Sequence, residues 1–333
     1  MTDPQGPAPT TEAHLDPLDV RMFPALTILE RQCMPLHRGR EPYWRAPITP
    51  ASQDCYIPHW NWRGPHELPH DADVTTLDAN GAYLGAAGGV KIAHSHLTHT
   101  GPWDSSPEPR LVPPGYYRIT VPPWAFSGMI VSPLGDSARL KKPALWVAAP
   151  TLVLLLELHE NGYLGQVDIL DSWTAATTAD FRAWVARLKT VRTELLDRID
   201  TRQTDAARAG ALSLYNAFKE GYSAALSMIL TGTKCRTRRP DWSHTVYAQH
   251  AASQWRKAWR FAFTGAPLVS MGHVDEIAVL TKDLPAALQL AKPPFRYDPT
   301  GRAVGAMKPK HTGPLTTPQP PAESAAVNLE DTI

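Results

Sequence analysis

Hydrophobic and polar positions along the chain change period several times, and each change marks an element. Through the first seventy residues Pro, His and Arg alternate with lone aromatics such as Trp44, Trp60 and Trp62, and only Ala25–Arg31 has helical spacing. An arm with little structure of its own is expected over residues 1–70. From Val74 the segment VTTLDANGAYLGAA opens β-rich and reaches an Asp and a turn-prone Asn-Gly, and VKIAHSHL then alternates as a strand does, which predicts a strand, turn, strand unit. PPGYYRITVPPW reads as a short strand whose bounding prolines place it at an edge or near a turn. ALWVAAPTLVLLLELHENGY reads as a strand followed by a helix, with Pro150 in the first helical turn.

VDILDSWTA has the look of a buried strand, and beyond it Phe181, Trp184, Val185, Leu188, Val191, Leu195 and Ile199 recur at spacings of three and four. That spacing predicts an amphipathic helix. A second helix is expected over about 204–231, with Leu212, Tyr215, Phe218, Tyr222 and Leu226 along one side, and a third from Asp241, after the RRP break, to about Phe263. PLVSMGHVDEIAVLTKD has two apolar halves around His273–Glu276, so a hairpin or strand carries an acidic pair. A short helix is expected at 283–291. Residues 293–333 are polar and Pro-rich and predict a disordered tail.

Composition narrows the class. The 333 residues are 43% hydrophobic and 20% charged with a formal net charge of +1, values of an ordinary soluble globular protein. Near-zero net charge argues neither for nor against a nucleic-acid partner, because a basic face can be balanced elsewhere. The 33 prolines exclude a wholly helical fold. Cys33, Cys55 and Cys235 are too few and too scattered for a disulfide framework, which points to a reducing, cytoplasmic setting. The N-terminus MTDPQGPAPTTEAHLD lacks a basic start and an apolar run, so no secretory signal is expected. Trp146–Leu158, the longest apolar stretch, is interrupted by Pro150 and Glu157 and is too short to span a bilayer.

Chemistry enters with two acidic segments far apart in sequence. Asp78 in TTLDANGAYL and Asp275–Glu276 in GHVDEIAVL each sit in a strand-like apolar setting. Two-metal nucleotidyl transfer needs carboxylates converging on Mg²⁺ ions about 3.5–4 Å apart, and neighbouring strands supply them. On that reading Asp78 and Asp275 are the metal ligands. Glu276 is expected to matter less, since neighbours on a strand point to opposite faces. The plainer alternative is a turn residue beside Asn80-Gly81 and two strand-end surface charges.

LDANGAY resembles the first motif of family B DNA polymerases, D-x-x-S-L-Y-P. The resemblance puts the metal-binding Asp at Asp78 and the residue that excludes ribose 2′-hydroxyls at Tyr83, with Gly81 in place of the Ser. GHVDEIAVL takes the position of the third motif, Y-x-D-T-D, with Asp275 as its first Asp and Ile277 in place of its second. The Asp-Glu pair is similar to the H-D-E of family A polymerases. LSLYNAFKEGYSAAL stands where the second motif, K-x-x-x-N-S-x-Y-G, belongs. Aligned on Asn216 its Lys is Leu212; aligned on Lys219, its Asn is Ser223. Lys219 would contact the triphosphate, or it is a solvated helix residue. The fold this implies is α+β: a polymerase-palm-like, mainly antiparallel sheet over residues 71–292 with packed helices, including a helical insert at about 180–263.

Seven segments in order carry a second resemblance: LDANGAYLGAAGGVKIAHSHLTHTGP, PPGYYRI, LWVAAPTLVLLLEL, VDILDSWT, YNAFKEGYSAALSMI, RRPDWSHTVYAQHAASQWRKAW and APLVSMGHVDEIAV. Over roughly residues 71–310 they look like the C-terminal region of telomere-associated proteins of actinomycete linear replicons. That resemblance implies binding of a single-stranded 3′ end and recruitment of a terminal protein. A basic run, Lys234, Arg236, Arg238 and Arg239, precedes a helix bearing Trp242, Tyr247, Trp255, Arg256, Lys257, Trp259 and Arg260. Cations track a single strand while aromatics stack on its bases. The same Trp255 and Trp259, one turn apart, fit a core stripe equally well. Cys55, His59, His66 and His70, and separately His94, His96 and His99, have metal-binding chemistry without a standard zinc spacing. Gly85, Gly88 and Gly89 read as a turn or bulge rather than a phosphate loop.

Three functions follow as expectations: a telomere-type single-strand DNA-binding protein, an Mg²⁺-dependent nucleotidyltransferase using Asp78, Asp275, Glu276, Lys219 and Tyr83, and a protein-binding regulator with a polymerase-derived fold.

Overall fold

The structure, a computed structural model, describes residues 46–65, 68, 72–103, 107–135, 138–201, 204–231, 238–266, 268–273, 275–290 and 295–314. Ala25–Arg31, Cys33, Trp44, His66, His70, Lys234, Cys235 and Arg236 lie outside the described residues.

A helical turn, α1 (Pro50–Gln53), opens the described chain and is capped by Thr49, whose hydroxyl accepts from the Ser52 backbone N–H at 3.0 Å. Strands β1 (Cys55–Tyr56) and β2 (Trp60–Arg63) follow. Residues 46–65, expected as part of an arm, are therefore built into the fold through Tyr56 and Trp60, which are buried. β3 (Asp73–Ala79) carries Asp78 near its end, and the chain turns through Gly81, at φ 57, into α2 (Ala82–Gly89). The strand, turn, strand unit expected here gives way to a helix. Asn80 holds the turn by donating to the Gly301 and Ala303 carbonyls at 2.6 and 2.9 Å. Gly85 and Gly88 serve close packing: a Cβ on them would lie 3.1 Å from Gly305 Cα and from Val185 Cγ1, respectively.

The next stretch forms β4 (Lys91–Ala93), β5 (Leu97–His99), β6 (Gly115–Thr120), β7 (Ala144–Ala148), α3 (Ala149–Glu160), β8 (Ile169–Ala175) and β9 (Thr178–Asp180). One five-stranded sheet runs β1-β7-β6-β8-β5, with β1 parallel to β7 and the other pairs antiparallel. β6 lies in its middle, not at an edge. Its prolines, 113, 114, 122 and 123, fall just outside 115–120, so they remove no ladder donor.

Helices α4 (Arg182–Thr201), α5 (Asp205–Thr231) and α6 (Pro240–Ala262) follow the expected boundaries closely. β10 (Leu268–His273) and β11 (Glu276–Leu280) form the expected hairpin, followed by α7 (Leu284–Leu290). β12 (Met307–Pro314) departs from expectation. This part of the supposed tail pairs antiparallel with β3 along its length, and Pro309 is tolerated because β12 is an edge strand.

The second five-stranded sheet is wholly antiparallel, in the order β12-β3-β11-β10-β2. One face, with Leu77, Ile277, Val279, Met271 and Met307, packs into the main core with Trp255 and Phe261 of α6 and Leu155 of α3. A second cluster joins α2, α4, α5 and α6 through Leu84, Trp184, Leu188, Phe218, Trp242 and Val246. The expected α+β architecture, an antiparallel sheet with the 180–263 helices packed against it, is the one observed.

Candidate functional site

The acidic residues converge on the face of the second sheet that points away from that core. In the antiparallel ladders Glu276 stands directly opposite Asp78, and Lys308 stands opposite Asp78 on its other side. Residues directly opposite share a face, so Lys308, Asp78 and Glu276 form one row across β12, β3 and β11. Leu77 pairs with Ile277 and both are fully buried, which confirms that the neighbouring acids face the other way.

Asp275 reaches the same place from the turn between β10 and β11. Its carboxyl lies close enough to Asp78 and Glu276 to feel both charges. Its carbonyl accepts from the Ala79 N–H at 3.2 Å and from Gln254 Nε2 at 2.7 Å, which fixes the turn against the end of β3 and against α6. Strand alternation was expected to turn Glu276 away from Asp275. It does not apply, because Asp275 belongs to the turn rather than the strand, and the charges of Asp78 and Glu276 both act on its carboxyl.

Burial first, and then the charges of Asp78 and Glu276, lift the Asp275 carboxyl from 3.8 to about 6. Stability should follow. Between about pH 4 and 6 the folded chain holds a proton here that the unfolded chain has lost, so stability falls as pH rises through that window. Asp275→Asn is expected to abolish this decline and to be more stable than the parent at pH 7. Urea titrations at pH 4 and 7 would show it, and a variant less stable at pH 7 would reverse the assignment.

Tyr83 joins the acids from α2. Its ring meets the edges of Tyr247 and His250 at centroid distances of 5.0 and 5.2 Å. Burial and the nearby Asp275 charge raise its phenol. Burial likewise keeps His250 neutral, with its imidazole lowered to about 3. Lys219 is not brought to the site. It is exposed on α5, with its ammonium 5.9 Å from the Tyr215 ring centroid.

Three residues that sequence reasoning missed complete the surroundings. Lys308 Nζ lies 3.8 Å from Asp78 Oδ2, and Lys310, at a β-bulge in β12, bonds to Glu276. Their signal was basic residues at alternate positions in KPKH, obscured by Pro309. Arg192, buried on α4, donates to Asn80 Oδ1 at 3.1 Å, to Tyr215 Oη at 3.1 Å and to the Gly301 carbonyl at 2.8 Å. It ties the α4–α5 pair to the turn that follows Asp78.

The basic and aromatic segment expected to hold DNA is largely interior. α6 packs against α2, α3 and α5, so several of its sides are covered. Trp255 is fully buried, stacks on Trp259 at 5.0 Å and 19°, and donates to the Val131 carbonyl at 3.0 Å. Arg239 is also fully buried, paired with Asp241 at 2.6 Å, and its guanidinium lies 4.5 Å from the Trp242 ring centroid. Lys257 is buried and donates to the Gly305 carbonyl at 3.0 Å; Arg256 pairs with Glu157 at 2.6 Å. The Arg238 carbonyl accepts from the Ala46 N–H at 2.9 Å. Trp259 and Arg260 remain reachable beside Tyr163 and Phe263 at a surface cleft of about 460 Å³.

The described histidines have other partners. His99 bonds to Asp171 at 2.6 Å and His94 to Thr177 at 3.3 Å, and among the described residues no three His, Cys, Asp or Glu side chains converge to hold a metal. Oxygen donors at Asp78 and Asp275 suit a hard cation such as Mg²⁺. A pair of ions fits less well, because two lysines already counter these acids and Ile277 lies in the core where a further Asp would be needed.

No protein-family model matches the sequence, and no curated protein matches it. Solved structures do. Phi29 DNA polymerase with primer-template DNA, in its post-translocation binary complex, superposes with a TM-score of 0.55 at 12% identity, over 86% of this chain and 51% of that one. Its ternary complex with incoming nucleotide substrates gives 0.54 at 12%, over 89% and 53%. The orthorhombic crystal form of Phi29 DNA polymerase gives 0.50 at 12%, over 86% and 55%. The chain spans about half the length of these polymerases, and at such identity the likeness is one of fold: an α+β architecture of the DNA polymerase type.

Proposed function

We propose that this protein binds single-stranded DNA on a polymerase-type palm, at the ends of linear replicons, and engages a terminal protein there. The observation that carries the binding reading is the row Lys308, Asp78 and Glu276 on the sheet face turned away from the main core, with Lys310 across it. A bare acidic row would repel phosphates. Two lysines from an edge strand offset that repulsion and offer cations to a strand lying over the sheet. The end-binding role and the terminal protein rest on the seven-segment sequence resemblance. Trp259 and Arg260, at a separate surface cleft, would offer a base a stacking surface.

The convergence of Asp78, Asp275 and Tyr83 favours a second reading, nucleotidyl transfer. Mg²⁺ would be held by Asp78 and Asp275 and would neutralise charge on a transferring phosphoryl group. Glu276 would orient Lys310, and Tyr83 would border the sugar. One experiment separates the readings: the full chain is incubated with labelled nucleotides, Mg²⁺ or Mn²⁺ and a primed template, alongside binding of labelled single strands. Salt-sensitive binding without incorporation is expected. Incorporation that disappears in Asp78→Asn and in Asp275→Asn would establish the transferase reading instead. Absence of both activities would leave the protein-binding regulator.

A further inference from the structure

We propose that the cleft beside α2 is a site for a terminal phosphate, the phosphomonoester of a nucleotide or of a strand end. The cleft encloses about 350 Å³ between α2, α4, α6 and the loop leading into β12. Lys189, Arg256, Lys257 and Arg296 line it, and its lining contains no Asp or Glu. Asp78, Asp275, Glu276 and Tyr83 are not among its walls, but Ala79, the residue after Asp78, is, so the cleft adjoins the acidic row.

Four cations in one concavity repel each other; among the described residues one of them, Arg256, forms an ion pair with a carboxylate, Glu157, and Asp78 acts on Lys257 only from a distance. Lys257 and Arg296 are instead held side by side by backbone oxygens, those of Gly305 at 3.0 Å and Val304 at 3.1 Å. Neutral carbonyls position these charges without cancelling them. An anion entering the cleft would do so. The wall beside them is backbone, where Gly85 and Gly305 lie so close that a Cβ on Gly85 would press on Gly305 Cα at 3.1 Å. Ala82, in the first turn of α2, also lines the cleft, and the Gly81 N-cap supplies no side-chain bond to that turn.

Charge and size select the ligand. A phosphomonoester carries about −1.5 to −2 at pH 7 whereas an internal phosphodiester carries one charge, so a cluster of cations prefers the terminal group. A volume near the lower end of small-ligand pockets, about 300–1,000 Å³, admits a mononucleotide or the last nucleotide of a strand rather than a long tract.

The test uses the full chain, with dAMP against deoxyadenosine, and a 5′-phosphorylated against a 5′-hydroxyl oligothymidine, by titration calorimetry. At least about tenfold tighter binding of the phosphorylated member is expected in one pair or both, a difference of about 1.4 kcal/mol. Preference within the first pair alone identifies a free nucleotide, and preference within the second a strand end. Lys189→Gln/Arg296→Gln, at two exposed positions, should abolish the preference, while Lys219→Gln should keep it. Equal binding of phosphorylated and unphosphorylated probes, or a preference that survives the double substitution in a folded chain, would overturn the proposal.

Discussion

Trp255→Ala is expected to cost about 3–5 kcal/mol of folding stability, as large-to-small changes in a packed core do. The side chain is fully buried, stacks on Trp259, and meets Trp124 edge-on at a centroid distance of 5.6 Å. Its loss also strips the Val131 carbonyl of the indole N–H that satisfies it. Set against a typical total of about 5–15 kcal/mol, the change should shift the urea midpoint far to lower concentration. Trp259→Ala should cost less, because that ring is only partly buried. If Trp255→Ala kept the parent's midpoint yet lost DNA binding, the indole would have to be a base-stacking platform, contrary to its burial.

That contrast shows where sequence patterns carried information and where they did not. Long amphipathic repeats were legible: Phe181, Trp184, Leu188 and Leu195 face one cluster, as their spacing requires. α6 was legible as a helix but not in its exposure. Neighbouring helices cover it on several sides, so Lys257 entered the interior with Trp242 and Trp255. α2 was invisible, since AYLGAAGG has three glycines and no polar stripe; contacts with Gly305 and Val185 make it a helix. β12 was invisible for the opposite reason. Its polar, Pro-containing sequence suits an edge strand, whose outer side needs no apolar partner.

The acids themselves could be found because carboxylates inside apolar strands are conspicuous, and the ladder brought Asp78 opposite Glu276. Their counter-charges could not, since Lys308 and Lys310 join them only through long-range strand pairing. Arg192 was hidden among the ordinary polar positions of an amphipathic helix. Its importance lies in reaching Asn80, more than a hundred residues away along the chain.

Single-strand binding by Lys308→Gln/Lys310→Gln is expected to fall about thirtyfold at low salt, taking each charged phosphate contact as worth about 1 kcal/mol at these partly exposed positions. The salt dependence should also flatten, by about 0.7 in the log–log slope for each lost contact. Both effects share one cause. With the lysines gone, Asp78, Asp275 and Glu276 face the strand with no cation on β12 between them. The fold should survive, because ion pairs with a partly exposed lysine contribute about 0–1 kcal/mol and Gln keeps part of each aliphatic stem. Asp78→Asn should act in the opposite sense, removing a repulsive charge and strengthening binding at low salt, where screening is weakest. Fluorescence anisotropy with a labelled oligothymidine, between about 0.05 and 0.3 M salt, reads both quantities. An unchanged affinity and slope in the double variant would move the strand off this face, to the cleft beside Trp259 and Arg260, where stacking rather than charge would set the affinity.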